Sequence, residues 1–401
     1  MTILSICIPT FNRASYLQRL LACLAQELAG TDGQIEVVVS DNASTDDTAR
    51  ICASSPLGTV LRYVRQSRNI GAEANIQSVI RQARGTYAVY LADDDILLWP
   101  GIAEALALLD ADPDATALYA PWTHVDLVRN RTGRQFYHQT GIATIARCDY
   151  LHLARHILDN RIFSEIFICR TDIYRRIIPG HTDIAFWAFT APCMLLAFGR
   201  LIYAPTPFYG SVTRHFDGDD RTQLGMTEVQ MGWDRYRGGL EHLIGLARPQ
   251  ANAHDIAGLI ASADVIVRDR MLVALRLRLT HGGDPLESLD LATRLRGLGC
   301  EADLPQPLDQ IRSAAAIHAL GHQIAPVVQG RRRVLAGAFP PEAVAFATSR
   351  CGLPVALHSP GRVDGNDIVL IAGNGAGLSP DLDIGAAAFA ITEADLLARY
   401  P

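Results

Sequence analysis

The chain reads as an α/β protein built on a mostly parallel sheet with helices on both faces, and three observations predict this. Short apolar, β-rich runs recur at 3–8, 35–39, 59–64 and 87–91, and helical spacings fill the gaps between them. Repeated β-α-β units of this length join parallel strands. Polar clusters follow three of the four runs, where open parallel sheets bind their ligands.

Ile3 to Ile8 is the first strand, ended by Pro9. Ser15 is placed to cap a helix through about Leu28, whose Leu17, Leu20, Leu21 and Leu24 share one face. Ile35 to Val39 is the second strand, and Thr45 or Asp46 starts the next helix after a polar turn. A third strand at 59–64 leads to a helix from about Ala72 to Ala83, ended by Gly85. Tyr87 to Leu91 then opens directly onto Asp93-Asp94-Asp95. The pattern turns mixed from 115 to 216, with a strand near 117–121, a basic turn at 129–134 and helix after Asp149. Residues 219–300 read as helical, and Gly-Pro-rich turns between Gly282 and Pro307 form a linker. Strand-like runs at 334–337, 354–358 and 368–372 around a helix at 341–350 suggest a small appended α/β unit. Gly373 to Gly377 reads as a glycine turn rather than a phosphate loop, because no helix follows it at once. The expected division is a sheet domain at 1–217, a helical extension at 218–305 and a small α/β domain at 306–401.

A chain of 401 residues that is 49% hydrophobic has the material for more than one core. Its net charge of −6 argues against a nucleic acid partner or an anionic membrane surface, so a polyanionic ligand must be gripped locally. The eight cysteines form no C-x-x-C pair and lie mostly in apolar runs, which suggests reduced, buried thiols. No basic and apolar leader opens the chain, and no run approaches 18 apolar residues. The expectation is a cytoplasmic protein without a membrane span, with peripheral contact at the inner membrane left open.

The chemistry gathers at three strand ends: Pro9-Thr10-Phe11-Asn12-Arg13, Ser40-Asp41-Asn42-Ala43-Ser44-Thr45-Asp46 and Asp93-Asp94-Asp95. Three adjacent carboxylates repel one another unless a cation shares them. A hard divalent ion such as Mg²⁺ or Mn²⁺ takes such oxygens and completes its shell with phosphate oxygens and water. Asp41 reads equally as an Asx-turn residue and as an acceptor for a base N–H or a ribose hydroxyl. Glu165 lies inside an apolar stretch, either as an acid of an acceptor pocket or as a paired core carboxylate.

These segments, with Arg68-Asn69-Ile70-Gly71 and Asn75 between them, resemble the ordered motifs of family 2 glycosyltransferases of the GT-A fold. The resemblance covers roughly residues 3–216. It implies an inverting transferase that moves a sugar from a nucleoside-diphosphate sugar, UDP or dTDP in preference to GDP, to a hydroxyl acceptor. The acceptor would be a glycan, a lipid-linked glycan or a protein, in assembly of bacterial surface glycans. Pro9, Thr10, Asn12 and Arg13 would line the nucleotide pocket, and Asp41 would contact the base beside Asn42 and Ser44. Asn69, Gly71 and Asn75 would pack near the nucleotide, with Asp93 and Asp94 at the donor. Asp93 and Asp95 would be the acids of the D-x-D motif, with Asp95 the direct ligand of Mn²⁺ or Mg²⁺. Ala92 stands where many relatives carry a first acid, so the division of labour among the three is open. His181-Thr182-Asp183 before Phe186-Trp187 resembles the acceptor-side motif, which makes Asp183 the general base. Tyr209 to His215 resembles the segment that closes over the diphosphate, with Arg214 on phosphate and His215 a third metal ligand.

Two other readings compete. A nucleotidyltransferase would show a glycine-rich, lysine-bearing loop after the first strand, which Pro9 to Arg13 lacks. A non-catalytic nucleotide- or sugar-binding module would not need the acid cluster or Asp183. The last hundred residues carry no catalytic motif and read as an interaction region, where a homo-oligomer contact would sit.

Overall fold

The computed structural model describes residues 2–29, 34–218, 229–322, 331–349, 355–357, 363–378, 381 and 383–398. The expected helical start at 219–228, and residues 354 and 358 at the ends of the expected strand, lie outside them. The chain divides into two compact units, one of residues 1–222 and 234–265, the other of 223–233 and 266–401.

In the first unit β1 (Leu4–Thr10), α1 (Ala14–Glu27), β2 (Ile35–Asp41), α2 (Thr48–Ala53), β3 (Leu61–Arg65), α3 (Ala72–Gln82) and β4 (Tyr87–Tyr90) follow the predicted alternation. After β5 (Ile96–Leu97) and α4 (Trp99–Ala111) come β6 (Ala115–Tyr119), β7 (Trp122–Asp126), β8 (Arg131–Gln135) and β9 (Ala143–Ile145). Then follow α5 (Tyr150–Asp159), β10 (Ile168–Arg170), α6 (Thr171–Ile177), α7 (Trp187–Leu196), β11 (Arg200–Tyr203) and β12 (Tyr209–Arg214). The main sheet has the order β3-β2-β1-β4-β10-β6-β11-β9, parallel from β3 to β4, with β10 and β9 running against their neighbours. A smaller sheet, β5-β12-β7-β8, returns the chain to the end of β4. The fully buried Leu4, Ile6 and Ile8 of β1, Val37 and Val39 of β2 and Val89 of β4 pack with Leu17 and Leu21 of α1 in one core cluster. Helices α8 (Trp233–Ala247) and α9 (Ala253–His281) follow, and the division between the units falls within α9.

Two local expectations are corrected. Pro9 does not end β1: it pairs in register with Ser40, and Thr10 with Asp41. The carbonyl of Cys7 accepts from Leu91 on the β4 side, and that of Thr10 accepts from Asn42 on the β2 side. By alternation Pro9 faces β4, whose pairing with β1 has stopped at Cys7, so its missing N–H deprives no partner. Ser15 does not cap α1 either. The helix starts one residue earlier, and its Ala14 N–H is satisfied by Asp46 Oδ2 at 2.9 Å from the loop after β2. The other Asp46 oxygen takes the N–H and hydroxyl of Thr48 at the start of α2, at 3.1 and 2.5 Å.

The second unit carries α10 (Pro285–Gly297) and α11 (Leu308–His322) ahead of a four-stranded parallel sheet. That sheet is built from β13 (Arg332–Ala336), α12 (Pro341–Ser349), β14 (Val355–Leu357), β15 (Asp367–Ile371), β16 (Phe389–Thr392) and α13 (Glu393–Leu397), in the order β14-β13-β15-β16. A bidentate pair from Arg332 to the fully buried Asp367, at 2.7 Å on both arms, locks β13 to β15. The Gly373–Gly377 turn follows β15, and its first N–H is held by Glu393 rather than left open.

Burial pushes the Asp46 carboxyl up, but the Thr48 and Ala14 hydrogen bonds outweigh it and hold the group below the usual carboxylate range. Its contribution to stability is therefore present above the ordinary aspartate pKa and is lost as pH falls through the lowered one. Asp46→Ala is expected to cost about 1–2 kcal/mol, read as a lower urea midpoint at pH 7, with the gap from the parent shrinking below about pH 4.

Candidate active site

The acid triplet sits where β4 leaves the sheet, and its carboxylates are tied to two other segments of the chain. Thr10 at the end of β1 donates its hydroxyl to Asp93 at 2.6 Å. The Arg13 guanidinium stands 3.5 Å from Asp93 and 3.0 Å from Asp94. Asp95 faces the other way and accepts from the Tyr209 hydroxyl and the Val212 N–H, both at 2.7 Å. The His215 ring lies edge-on to Tyr16, with Nε2 2.7 Å from the Asp94 carbonyl, and Arg19 donates to the His215 carbonyl. Desolvation dominates at Asp93: burial lifts its carboxyl to about 7, although Thr10 and Arg13 pull it down, and Asp94 and Asp95 add to the rise.

The second strand end forms a separate, fully hydrogen-bonded wall. The Asp41 carboxylate is wholly buried and accepts from Tyr63 at 2.5 Å, Ser44 N–H at 2.8 Å and Arg65 at 3.2 Å. Asn42 bridges Asn69 and the Gly71 carbonyl through Nδ2 and accepts from the Ile70 N–H through Oδ1. Asn75 reaches back from α3 to the Ser40 carbonyl at 2.9 Å and accepts from the Ser40 hydroxyl at 2.7 Å. Asn12 donates its N–H to the Ser44 hydroxyl, and its side chain accepts from Thr45, which joins the first and second strand ends. Three residues here have left-handed backbones: Asn12 (φ 54°), Ala43 (φ 64°) and Gly71 (φ 89°). Asparagine and glycine adopt that region readily, whereas alanine holds it at a cost that the surrounding hydrogen bonds offset.

The segment that carries these residues is similar to known proteins. The family model described as glycosyl transferase family 2 matches residues 5–171, from β1 through the acid triplet to β10. Residues 5–171 are similar to glycosyltransferase family 2. The chain is 31% identical over 164 residues to the abequosyltransferase RfbV of Salmonella typhimurium, across 40% of this chain and 46% of that protein. It is 27% identical over 160 residues to a chondroitin synthase of Escherichia coli, across 38% of this chain and 22% of that protein. The matches thus span less than half the length of these curated relatives. A solved structure of Staphylococcus aureus TarS 1–349 in complex with UDP-GlcNAc aligns at a TM-score of 0.44 and 16% identity, over 79% of this chain and 85% of that one. The first unit is built on a mixed, mostly parallel sheet.

The structure brings together most of the residues singled out in the sequence. Thr10, Arg13, Asp93 and Asp94 form one contact group, Asn12 and Ser44 a second, and Asn42, Asn69 and Gly71 a third, with Asn75 beside them. Pro9 lies in β1 one residue before Thr10, and Arg214 ends β12 with its carbonyl paired to Leu127. Asp183 stands apart on the loop before α7, nine-tenths exposed and 3.8 Å from Arg235. The sequence reading overlooked Tyr63 and Arg65, and named Tyr209 only as the start of the closing segment. The first two share a strand face by their two-residue spacing, and Asp41 lies opposite Arg65 in the register. That face was legible in the period-2 pattern, but no polar cluster at the end of β3 drew attention to it.

The donor set has the right chemistry for a hard divalent cation, since three adjacent carboxylates at one strand end offer oxygen ligands. Among the described residues no three Asp, Glu, His or Cys groups converge into a formed metal site. Asp93 and Asp95 are turned to opposite partners, and Arg13 supplies the positive charge nearest Asp93 and Asp94. A carboxyl raised to about 7 destabilises the fold as it ionises, so stability falls as pH rises from about 4 through about 7. In chelator, Asp93→Asn is expected to remove that decline and melt several degrees above the parent at pH 8, with the two converging near pH 4. Equal melting temperatures across the range would contradict the burial of this charge.

Proposed function

We propose that the chain transfers a sugar from a nucleoside-diphosphate sugar, carried on UDP or dTDP, to an acceptor hydroxyl with inversion, in the assembly of bacterial surface glycans. The observation that carries this is the acid triplet held at the end of β4 by Thr10, Arg13, Tyr209 and Val212. Similarity to the family over residues 5–171 supports it, as does the matched relative named for transfer of abequose.

In this reading Thr10, Asn12 and Arg13 line the nucleotide pocket with Pro9 beneath them, and Asn69, Gly71 and Asn75 fix its floor. Asp41 takes the base with Asn42 and Ser44 beside it. Access to its carboxylate requires Arg65, half-exposed, to release it. Asp93 and Asp95, with His215, would hold a Mn²⁺ or Mg²⁺ ion, which neutralises charge on the departing diphosphate. Asp94 orients the donor, and Arg214 pairs with phosphate. Asp183 takes the acceptor proton as the acceptor oxygen bonds to the anomeric carbon. The electron pair of the breaking C–O bond leaves with the diphosphate, and the configuration inverts. The protein would act in the cytoplasm. Among the described residues no helix is long and apolar enough to cross a membrane.

Thermal melting against UDP, dTDP, GDP and their sugars, with and without Mn²⁺, tests the donor site. One nucleotide is expected to raise the melting temperature by several degrees only with metal, because ligand at about 100 times its Kd stabilises by about 2.7 kcal/mol. No shift with any nucleotide would favour a degenerate binding module. Asp95→Ala is expected to abolish the metal-dependent shift. Asp183→Ala should keep the shift and lower turnover by about 10²-fold or more, the usual contribution of a general base. Full turnover in Asp183→Ala would remove that residue from the mechanism.

A further inference from the structure

Asp183 stands at the tip of a short loop whose side chains do little to hold it. Its carboxylate is nine-tenths exposed and the neighbouring Ile184 is 81% exposed, so neither buries apolar surface that would anchor the tip. An exposed ion pair with Arg235 at 3.8 Å contributes little to its placement. The loop is held instead through its backbone and the residue that follows. Thr182 and Ala185 form an antiparallel bridge across the tip, and the Phe186 N–H donates to the Arg235 carbonyl of α8 at 2.8 Å. The Phe186 ring stacks on Tyr236 of the same helix, with centroids 4.3 Å apart and planes 13° from parallel. His181 and Trp187, on either side of the loop, line a cavity of about 170 Å³ whose other walls include Tyr90, the last residue of β4. A shift of the loop therefore moves Asp183 relative to that cavity.

How closely α8 approaches the loop is set by two adjacent glycines in the helix. A Cβ on Gly238 would stand 2.1 Å from the Ile184 carbonyl oxygen and 3.2 Å from its carbonyl carbon. A Cβ on Gly239 would stand 3.0 Å from the Phe186 carbonyl oxygen and from the Phe189 ring, and 3.1 Å from the Phe186 nitrogen. Real Cβ contacts essentially never fall below 3.0 Å. At Gly238 the obstacle is backbone, which no rotamer change removes. Glycine inside a helix is unfavourable relative to alanine, so two in succession give up helix stability for close approach. Gly245 of the same helix supplies the contrast, with open space where its Cβ would be.

We infer that Gly238 and Gly239 are positioning residues for the transfer step: they let α8 seat against residues 184–186 and so fix where Asp183 is presented. This rests on the transferase reading, in which Asp183 takes the acceptor proton, and deepens it. Neither glycine carries a group that could take a proton, so both act through the loop backbone. A reacting group misplaced by about 1 Å loses about 10²-fold in rate, and clearing the Gly238 contact requires a movement of about that size.

Release of nucleoside diphosphate from the full chain tests it, with Mn²⁺, water as the acceptor and the nucleotide sugar that gives the metal-dependent melting shift. Gly238→Ala is expected to lower turnover about 10²-fold while donor KM and the nucleotide-induced melting shift stay at their parental values. Gly239→Ala should lose less, since its neighbours need give only a few tenths of an ångström. Gly245→Ala should keep parental turnover and melt slightly higher, as alanine for glycine does at an open helix position. In an Asp183→Ala background Gly238→Ala should cost nothing further, because residues that act as a unit are not additive. A glycine needed only for the fold would cost the same in both backgrounds. Hydrogen exchange of the peptide 182–189, read without substrate, should quicken in Gly238→Ala and not in Gly245→Ala, as the Phe186 amide loses its helix partner. Parental exchange and turnover in Gly238→Ala, an equal loss in the Asp183→Ala background, or a lost melting shift would each overturn the inference. Should Gly238→Ala not fold, Gly239→Ala carries the same comparisons. A parent protein without a nucleotide shift would instead mark failure of the donor reading, and the exchange rates would still decide whether the glycines place the loop.

Discussion

The hydrogen bond from Thr10 to Asp93 joins the ends of two parallel strands and fixes the position of the acid triplet. It exists because β1 is flanked by β2 and β4 in exact parallel register, which brings residues 10, 41 and 93 to the same edge of the sheet. A carboxylate buried at such an edge needs compensation, and Thr10 with Arg13 supplies part of it. The remaining two acids extend the same node. Asp94 shares Arg13, and Asp95 anchors β12 through Tyr209 and Val212. One strand end therefore positions three segments distant in sequence: 10–13, 93–95 and 209–215.

The compensation is incomplete, and that has a structural meaning. Desolvation still outweighs both contacts at Asp93, so the fold carries an electrostatic penalty at neutral pH that a pair of neutral side chains would avoid. Arg13 is itself held over the Tyr16 ring at 5.2 Å, and Tyr16 touches His215, so the counter-charge is positioned as firmly as the acids it serves. Penalties of this kind gather where a site must be ready before its ligand arrives. The strained Ala43 and the tightly bonded Asn12 and Gly71 loops show the same tendency at the second strand end.

The parts of the fold that were legible in the sequence are those written in local periods. The four parallel strands, the helices between them and the polar clusters at their ends all follow from alternation and spacing within twenty residues. The misreadings came from partners far along the chain. Pro9 was compatible with β1 only because β4 stops short of it, and the α1 cap came from Asp46 rather than Ser15, thirty-two residues away in contact with Ala14. Tyr63 and Arg65 belong to the site because β3 lies beside β2, which no local pattern states. Asp183 was singled out by resemblance alone, and the structure places it on an exposed loop beside Arg235.

The strand ends and the neighbouring cavity differ in this respect for a physical reason. The polar residues at the strand ends cluster within short loops because a parallel sheet delivers successive strand ends to one edge. The cavity beside them is walled by α3, the last residue of β4, the segment before β10, α6 with the turn after it, and α7. Those pieces contribute ordinary apolar or aromatic side chains that read as core, together with Glu73, Gln77, Glu165 and His181, and Glu165 lies inside an apolar stretch of the sequence. Its meaning depends on which side chains surround it, and only the folded chain shows that two tyrosines, a tryptophan, a histidine and a second glutamate line the same cavity. A site assembled across packing contacts can thus diverge between relatives that keep every donor motif. The strand-end motifs are therefore legible in the sequence, and the lining of such a cavity is not.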